Sequence, residues 1–337
     1  MSMQAILDRF PGVSCAWTDA AGHVETACFG VADRENNIPV DEDTMFPACS
    51  ISKFVTAICM MKLYENRLAD IDKPANAYLR RWKLHTPDGA ESDATIRSLL
   101  CHTAGVADGE DAFYGLRKGE PPVSLLDILE GRTAYNNRPA RAEKSPGTAF
   151  EYSDAGYCIL QLLVEEITGR AFEDAARTIV FDPLGLERTF FATPGNVEIF
   201  TQTGCMAVGY DGDGVPIPGK YPVVPDLAAS ALWSTPKELL TVAGEFLAAL
   251  KGESVFLTET SARTMAAPVE RFPWTGLGLF MAGDDVLMAQ GWGENGQCML
   301  KMNPRMGAVS VVMTNRNPEV DQAASGVEWL ADRNMGV

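Results

Sequence analysis

Ser50 and Lys53 lie three residues apart in the run Phe46-Pro47-Ala48-Cys49-Ser50-Ile51-Ser52-Lys53. Phe54, Ala57, Ile58, Met61 and Leu63 continue it at near-helical spacing, which predicts that the pair shares one face of the first turn of a buried helix. A helix N-terminus offers unpaired N–H groups and a positive dipole end, and both favour an oxyanion. A lysine held there in a dry setting loses its proton more easily and can take the one from the serine hydroxyl. The chemistry this spacing suits is attack on a carbonyl. The same residues also read as a capping serine and a solvated lysine. Ser234-Thr235-Pro236-Lys237 repeats the spacing as an ordinary helix start, with Thr235 as N-cap and Pro236 at the first helical position.

Two further stretches carry residues suited to the same reaction. In Pro146-Gly147-Thr148-Ala149-Phe150-Glu151-Tyr152-Ser153-Asp154-Ala155-Gly156-Tyr157, Tyr152 precedes a helix beginning near Asp154. A phenol there could be the general base for Ser50 or the acid for the leaving group. It reads equally as a packed ring beside a capping Ser153 or Asp154. Gln290-Gly291-Trp292-Gly293-Glu294-Asn295-Gly296 lies between two strand-like runs. Its glycines would let a substrate lie against a strand edge and expose N–H groups to an oxyanion, or would simply form a hairpin turn. Cys49, next to Ser50, lacks a base at helical spacing. The three histidines are His23, His85 and His102; no metalloprotease, phosphate-loop or nucleophile-elbow motif accompanies them. His102 is expected to hydrogen-bond within its own loop, and neither a metal nor another cofactor is expected.

The elements that must position these groups come from both ends of the chain. Val13–Thr18 and His23–Gly30 are strand-like after a short helix through Phe10. Leu277–Met281, Val286–Gln290, Gln297–Met302 and Ala308–Met313 form four more strand-like runs before a closing helix around Val320–Asn334. That distribution predicts one antiparallel sheet completed by both termini. The middle reads as helices at Arg97–His102, Ser124–Glu130, Asp154–Ile167 and Pro236–Leu250, with Gly169 as a C-terminal cap. The Gly/Pro-rich stretch 213–225 is expected to be a long irregular loop.

With 337 residues, 46% of them apolar and 22% charged, the chain suits one large globular domain or two lobes about a cleft. A net charge of −17 speaks against nucleic acid and anionic membrane surfaces as partners. The chain start has neither the basic nor the apolar region of a signal peptide, and no apolar run reaches the ~18 residues of a membrane span. Eight scattered cysteines without a C-x-x-C pair read as free thiols. A cytoplasmic protein is expected.

Taken together, the motifs resemble the serine β-lactamase and penicillin-binding protein superfamily, in its class C β-lactamase-like branch, which also holds peptidases, D-aminopeptidases and carboxylesterases. Ser50-Ile51-Ser52-Lys53 is similar to the first motif. Leu68-Ala69-Asp70-Ile71-Asp72-Lys73-Pro74 resembles a G-x-L-x-L-D-D-P stretch, and Thr95–Gly105 the signature T-I-R-H-L-L-T-H-T-S-G. Phe150–Tyr157 resembles F-x-Y-S-N-x-G-Y, Pro183–Leu186 resembles P-L-G-M, and Ala231–Thr235 fits G-L-x-S-T. The resemblance covers most of the chain. It implies an α/β (α+β) β-lactamase/transpeptidase-like fold forming a single domain over 1–337. An α/β lobe of about 1–65 and 226–337 would carry the antiparallel sheet, and a mostly helical lobe of about 66–225 would be inserted into it.

The resemblance also implies roles. Ser50 would be acylated by a small ester, amide or lactam, with Lys53 and Tyr152 sharing the proton and the N–H groups of Ser50 and Glu294 holding the oxyanion. Two departures stand out. Asp154 replaces the asparagine of Tyr-x-Asn, favouring a protonated Lys53 and shifting the base role to Tyr152. Gly291-Trp292-Gly293, or Trp292-Gly293-Glu294, replaces Lys-Thr-Gly and leaves no cation for a substrate carboxylate. An esterase or amidase acting on small substrates follows. The alternatives are a β-lactamase, a D-stereospecific peptidase or DD-carboxypeptidase, an acyltransferase, or a silent binding protein of the same fold.

Overall fold

The computed structural model describes residues 2–19, 21–113, 123–283 and 285–336. Ala20, in the connection expected between the first two strands, lies outside them. The strands are β1 (Gly12–Thr18), β2 (Val24–Asp33), β3 (Ile38–Pro39), β4 (Phe46–Cys49), β5 (Phe190–Phe191), β6 (Leu232–Ser234), β7 (Phe280–Ala282), β8 (Val286–Gly293), β9 (Gly296–Asn303) and β10 (Ala308–Thr314). Seven of them form the expected sheet, in the order β3-β2-β1-β10-β9-β8-β7. The two chain ends meet where Val13 pairs with Thr314 and Trp17 with Ser310, antiparallel. Strands β9 and β10 are buried along their whole length, as befits central strands covered on both faces.

The helices explain that double cover. On one face, Ile6 of α1 (Met3–Leu7) and Val327 and Leu330 of the C-terminal helix pack with Val13, Cys15, Met299 and Val312. On the other, α2 (Ser52–Glu65) and later helices join the main core, which includes Phe54, Ile58, Leu287, Leu300 and Val311. The intervening segment carries α3 (Ile96–Leu100), α4 (Leu125–Leu129), α5 (Asp154–Thr168), α6 (Phe172–Ala176) and α7 (Val197–Thr201). Then follow α8 (Leu227–Ser230), α9 (Pro236–Leu250), α10 (Glu259–Ala266), α11 (Gln322–Ser325) and α12 (Val327–Met335). Thr235 caps α9 by accepting from Glu238 N, and Gly169 ends α5 at φ 68°, both as anticipated from the residue types.

Several boundaries differ from the sequence reading. The first helix stops at Leu7, short of Phe10. The closing helix is broken at Gly326, whose φ of 95° separates α11 from α12. β7 starts at Phe280 because the preceding residues serve a different contact. A Cβ on Gly278 would stand 2.4 Å from Ala57 Cβ and 2.8 Å from Lys53 O, so this segment is laid against α2 and cannot yet pair with β8. A second sheet of order β4-β6-β5 was not anticipated; strands of two to four residues are too short to display an alternation. Its Phe46↔Ser234 pairing anchors the approach to Ser50.

Candidate active site

Ser50 sits where β4 hands over to α2. Cys49 turns the chain with φ 46°, a left-handed conformation that costs energy for a residue with a Cβ. Ile51 N then bonds Ala48 O at 3.0 Å and Lys53 N bonds Ser50 O at 3.1 Å. No side chain caps α2, and the N–H groups of Ile51, Lys53 and Phe54 are taken by backbone carbonyls, so the N–H of Ser50 itself is the one this turn can offer to a ligand. Ser52 locks the turn from behind, donating to Cys49 O at 2.5 Å and accepting from Leu232 N at 3.0 Å.

Lys53 is 4% exposed. Its Nζ donates to Ser50 Oγ at 3.1 Å and to Ala229 O of α8 at 3.0 Å, and stands 2.6 Å from Asp154 Oδ1. It also lies 4.8 Å from the centre of the Tyr152 ring. Burial pushes the ammonium down, but Asp154 first and Tyr152 second outweigh it and hold the group above the ordinary lysine value. Burial pushes the Tyr152 phenol up; Lys53 and a hydrogen bond with Ser50 pull it back without cancelling the rise. Tyr152 as a residue remains 40% exposed. At neutral pH the resting site therefore holds an ammonium and a neutral phenol around the Ser50 hydroxyl.

His102 is corrected by the structure. Rather than bonding within its own loop, it reaches the Tyr152 segment: Nδ1 accepts from Ser153 N at 3.1 Å, and the ring stacks on Tyr152 at 4.4 Å. Burial, then the Lys53 charge, keep it well below the usual histidine value. It is a neutral support for the phenol.

Two carboxyls missed in the sequence surround the pair. Asp108 accepts from Ser153 Oγ at 2.8 Å, Asp154 N at 2.7 Å and Ala155 N at 3.0 Å, so it caps α5 from a distant loop. Burial, then Asp154, push it up to about 6. Asp226 is fully buried and accepts from Tyr135 Oη at 2.7 Å; burial, then Asp154, push it up to about 7. Asp226 precedes α8, which presents Ala229 O to Lys53. An aspartate before a helix is a legible signal; nothing in the sequence around Asp108 points to α5.

The third stretch lies against Ala48 and Cys49, the residues that lead into Ser50. A Cβ on Gly291 would stand 2.3 Å from Ala48 O and from Cys298 Sγ, and one on Gly293 2.8 Å from Cys49 Sγ. Both positions therefore need glycine so that β8 can lie on the segment preceding Ser50. Gly293 pairs with Gly296 across the two-residue turn Glu294-Asn295, and Gly291 with Cys298. In a two-residue hairpin the flanking pair exchanges both hydrogen bonds, so the backbone groups of 291 and 293 face β9. Those of Gln290 and Trp292 face the other edge. β7 covers that edge only as far as Met288, leaving it free beyond among the described residues.

Glu294 sits exposed in the turn, and Gln290 and Trp292 are the β8 residues whose N–H groups lie on the free edge. The Trp292 side chain lies on the face away from Cys49, 46% exposed, with its indole N–H donating to Asn317 Oδ1 at 2.8 Å. Cys49 itself is buried, its Sγ 3.9 Å from Gly296 O. Among the described residues no group of three or more His, Cys, Asp or Glu side chains is arranged to hold a metal ion, and no helix is long and apolar enough to cross a membrane.

Known proteins share this arrangement of elements. The D-amino acid amidase of Ochrobactrum anthropi, solved with D-phenylalanine, superposes with a TM-score of 0.75 at 21% identity, over 99% of this chain and 98% of its own. An octameric penicillin-binding protein homologue from Pyrococcus abyssi gives 0.79 at 21% identity, over 97% of this chain and 74% of its own. At those identities the likeness speaks for the fold alone. Esterase EstB of Burkholderia gladioli is 29% identical over 168 residues, 49% of this chain but 43% of its own length. The D-aminopeptidase of Gluconobacter oxydans is 24% identical over 197 residues, 55% of this chain and 32% of its own. The chain thus matches less than half the length of these curated relatives. The family described as Beta-lactamase matches residues 3–333, and with that span added to the shared fold, the chain belongs to the beta-lactamase family.

Proposed function

We propose that the protein is a serine hydrolase that forms an acyl-enzyme on Ser50, acting on small, uncharged esters or amides. The observation that carries this reading is the Lys53 ammonium, buried and 3.1 Å from Ser50 Oγ. Loss of one proton from the Lys53–Tyr152 pair leaves its charge on the phenol, because Asp154 favours the ammonium. The Tyr152 phenolate takes the Ser50 proton as Oγ bonds to the carbonyl carbon. The N–H groups of Ser50 and Trp292 hold the resulting oxyanion. Tyr152 then gives its proton to the departing alcohol or amine, and water, activated by the same phenolate, releases the acid.

Neither Gly291-Trp292-Gly293 nor Trp292-Gly293-Glu294 supplies a cation, so this mechanism offers little to the carboxylate of a penicillin or a D-alanyl peptide. The whole chain acts as one unit in this reading, with the α/β lobe of about 1–65 and 226–337 around the helical lobe of about 66–225. The continuous core from Ala16 to Met313 supports that unity. Eight free cysteines support a reducing, cytoplasmic setting.

The test is intact-protein mass spectrometry of wild type and Ser50→Ala after exposure to p-nitrophenyl acetate, p-nitrophenyl butyrate, penicillin G and a D-alanyl amide. An acyl adduct or turnover with the esters, absent from Ser50→Ala, is the expected result. Reaction with penicillin G alone would move the assignment to a β-lactamase. No Ser50-dependent reaction with any of them would leave a silent binding protein.

A further inference from the structure

Tyr152 is the inner end of a row of aromatic rings that runs from the candidate nucleophile to solvent. Phe280 stacks beside it at 6.4 Å between centres, with planes 27° apart. Phe150 meets Phe280 edge-on at 6.3 Å, and Trp274 meets Phe150 edge-on at 5.9 Å. Phe272 closes the group, 5.6 Å from Trp274 and 6.3 Å from Phe150. A row of this kind in a core would be covered. Here Tyr152 is 40% and Trp274 48% exposed, and the rings between them are half-buried. Apolar surface left open beside a reactive group marks a ligand surface.

The row is also held in place. The loop bearing Phe272 and Trp274 bonds to itself, with Val269 N to Thr275 O at 3.1 Å and Thr275 N to Phe272 O at 3.1 Å, and Met281 N bonds Trp274 O at 2.9 Å. Two cations beside the row have partners of their own. Arg271 donates to Gly147 O at 3.4 Å, and Lys144 pairs with Glu151 at 2.6 Å.

We propose that this aromatic ledge is the leaving-group subsite, and that it selects an uncharged aryl or bulky aliphatic alcohol or amine. The inference rests on the hydrolase reading, in which Tyr152 returns the proton to the leaving group, so a ring adjoining Tyr152 lies on the leaving-group side of the carbonyl. A planar aryl group could stack along Phe280 and Phe150 and end against Trp274 while its oxygen stays at the Tyr152 hydroxyl. The acyl part then lies towards the free edge of β8.

Two measurements test it. In the first, 2-naphthyl acetate and 2,2,2-trifluoroethyl acetate are compared on wild type and Trp274→Ala. Both form the same acetyl-enzyme, so any difference in their ratio of kcat/KM arises before deacylation. Trp274→Ala is expected to lower the naphthyl-to-trifluoroethyl ratio about 5- to 10-fold, mostly through KM, and Trp274→Leu to lower it less. The second titrates 2-naphthol alone against both proteins by calorimetry, which needs no turnover; weaker binding to Trp274→Ala is expected. Unchanged ratio and unchanged naphthol affinity would overturn the ledge while leaving Ser50-dependent hydrolysis standing. Absence of Ser50-dependent turnover, with naphthol binding still lost in Trp274→Ala, would overturn the hydrolase reading and keep an aryl site.

Discussion

Asp154 Oδ1 stands 2.6 Å from Lys53 Nζ, and the lysine is the same one that bonds Ser50 Oγ. A carboxylate at this distance favours the ammonium and disfavours a neighbouring phenolate. Asp154 thus raises both Lys53 and Tyr152, and the active, singly deprotonated pair is scarce at neutral pH. Wild-type kcat/KM for a neutral ester is expected to rise with pH towards an alkaline plateau. Replacing Asp154 by Asn removes the negative charge, lowers both groups, and should move the rising limb to lower pH by about 1–2 pH units. A pH profile of p-nitrophenyl acetate acylation measures this; a limb that stays put would show that the pair is not the titrating base.

The phenol has a specific support in His102, neutral and stacked on it at 4.4 Å. Tyr152→Phe keeps that stacking and removes only the hydroxyl. Acylation of Ser50 is expected to fall about 10²- to 10⁴-fold, the usual range for a lost acid–base group, with the melting temperature little changed. Stopped-flow acylation and a thermal melt read the two effects separately. A fall below tenfold would return the base role to Lys53.

How far the sequence revealed this arrangement depended on how local each relationship is. Ser50 and Lys53 are one helical turn apart, and Pro236–Leu250 is a capped helix; their signals lie within a few residues. The sheet was legible because β1, β9 and β10 are long enough to display their pattern. The grouping of Asp108 and Asp226 about Asp154 was not, since each reaches it across 46 residues or more of chain; the place of Asp226 before a helix is legible, but not its nearness to Asp154. His102 failed for the same reason, its partner Ser153 being 51 residues away. The sequence left open which residue of Gly291–Glu294 serves the oxyanion, because which backbone N–H faces the free edge depends on hairpin register. Register becomes visible only once Gly293 is seen to pair with Gly296.

The buried Asp226 should leave a mark on stability. Its carboxyl is pushed up to about 7 from a model-peptide value of 3.8, so between those pH values the folded protein holds a proton that the unfolded chain has released. The contribution of Asp226 to stability therefore falls as pH rises from about 4 to 7, the sign for a raised acid. Asn at 226 keeps an acceptor for Tyr135 Oη and has no charge to bury. Asp226→Asn is expected to flatten this slope and to raise the melting temperature at pH 8 by about 2 °C or more. Melts across pH 4–8 check it. A difference between wild type and Asp226→Asn that does not grow with pH would mean Asp226 is ionised in the fold.

The contact between β8 and the nucleophile segment is the last relationship open to a direct test. Gly291 lies over Ala48 O and Cys298 Sγ, and a Cβ would approach each to 2.3 Å. Neither neighbour can yield easily: Ala48 O accepts from Ile51 N at 3.0 Å and from the Cys298 thiol at 2.9 Å. Gly291→Ala must therefore push β8 away from Ala48–Ser50 and widen the gap between the N–H groups of Trp292 and Ser50. The expected cost is about 1–3 kcal/mol of stability, together with a larger fractional loss in Ser50 acylation than in binding of the same ester. Gly131→Ala serves as the control. Its Cβ would stand 2.4 Å from Arg138 C and Pro139 N, in the loop after α4, so it should destabilise without moving Trp292 relative to Ser50. Equal loss of acylation in both variants, at equal loss of stability, would show that the strand only supports the fold.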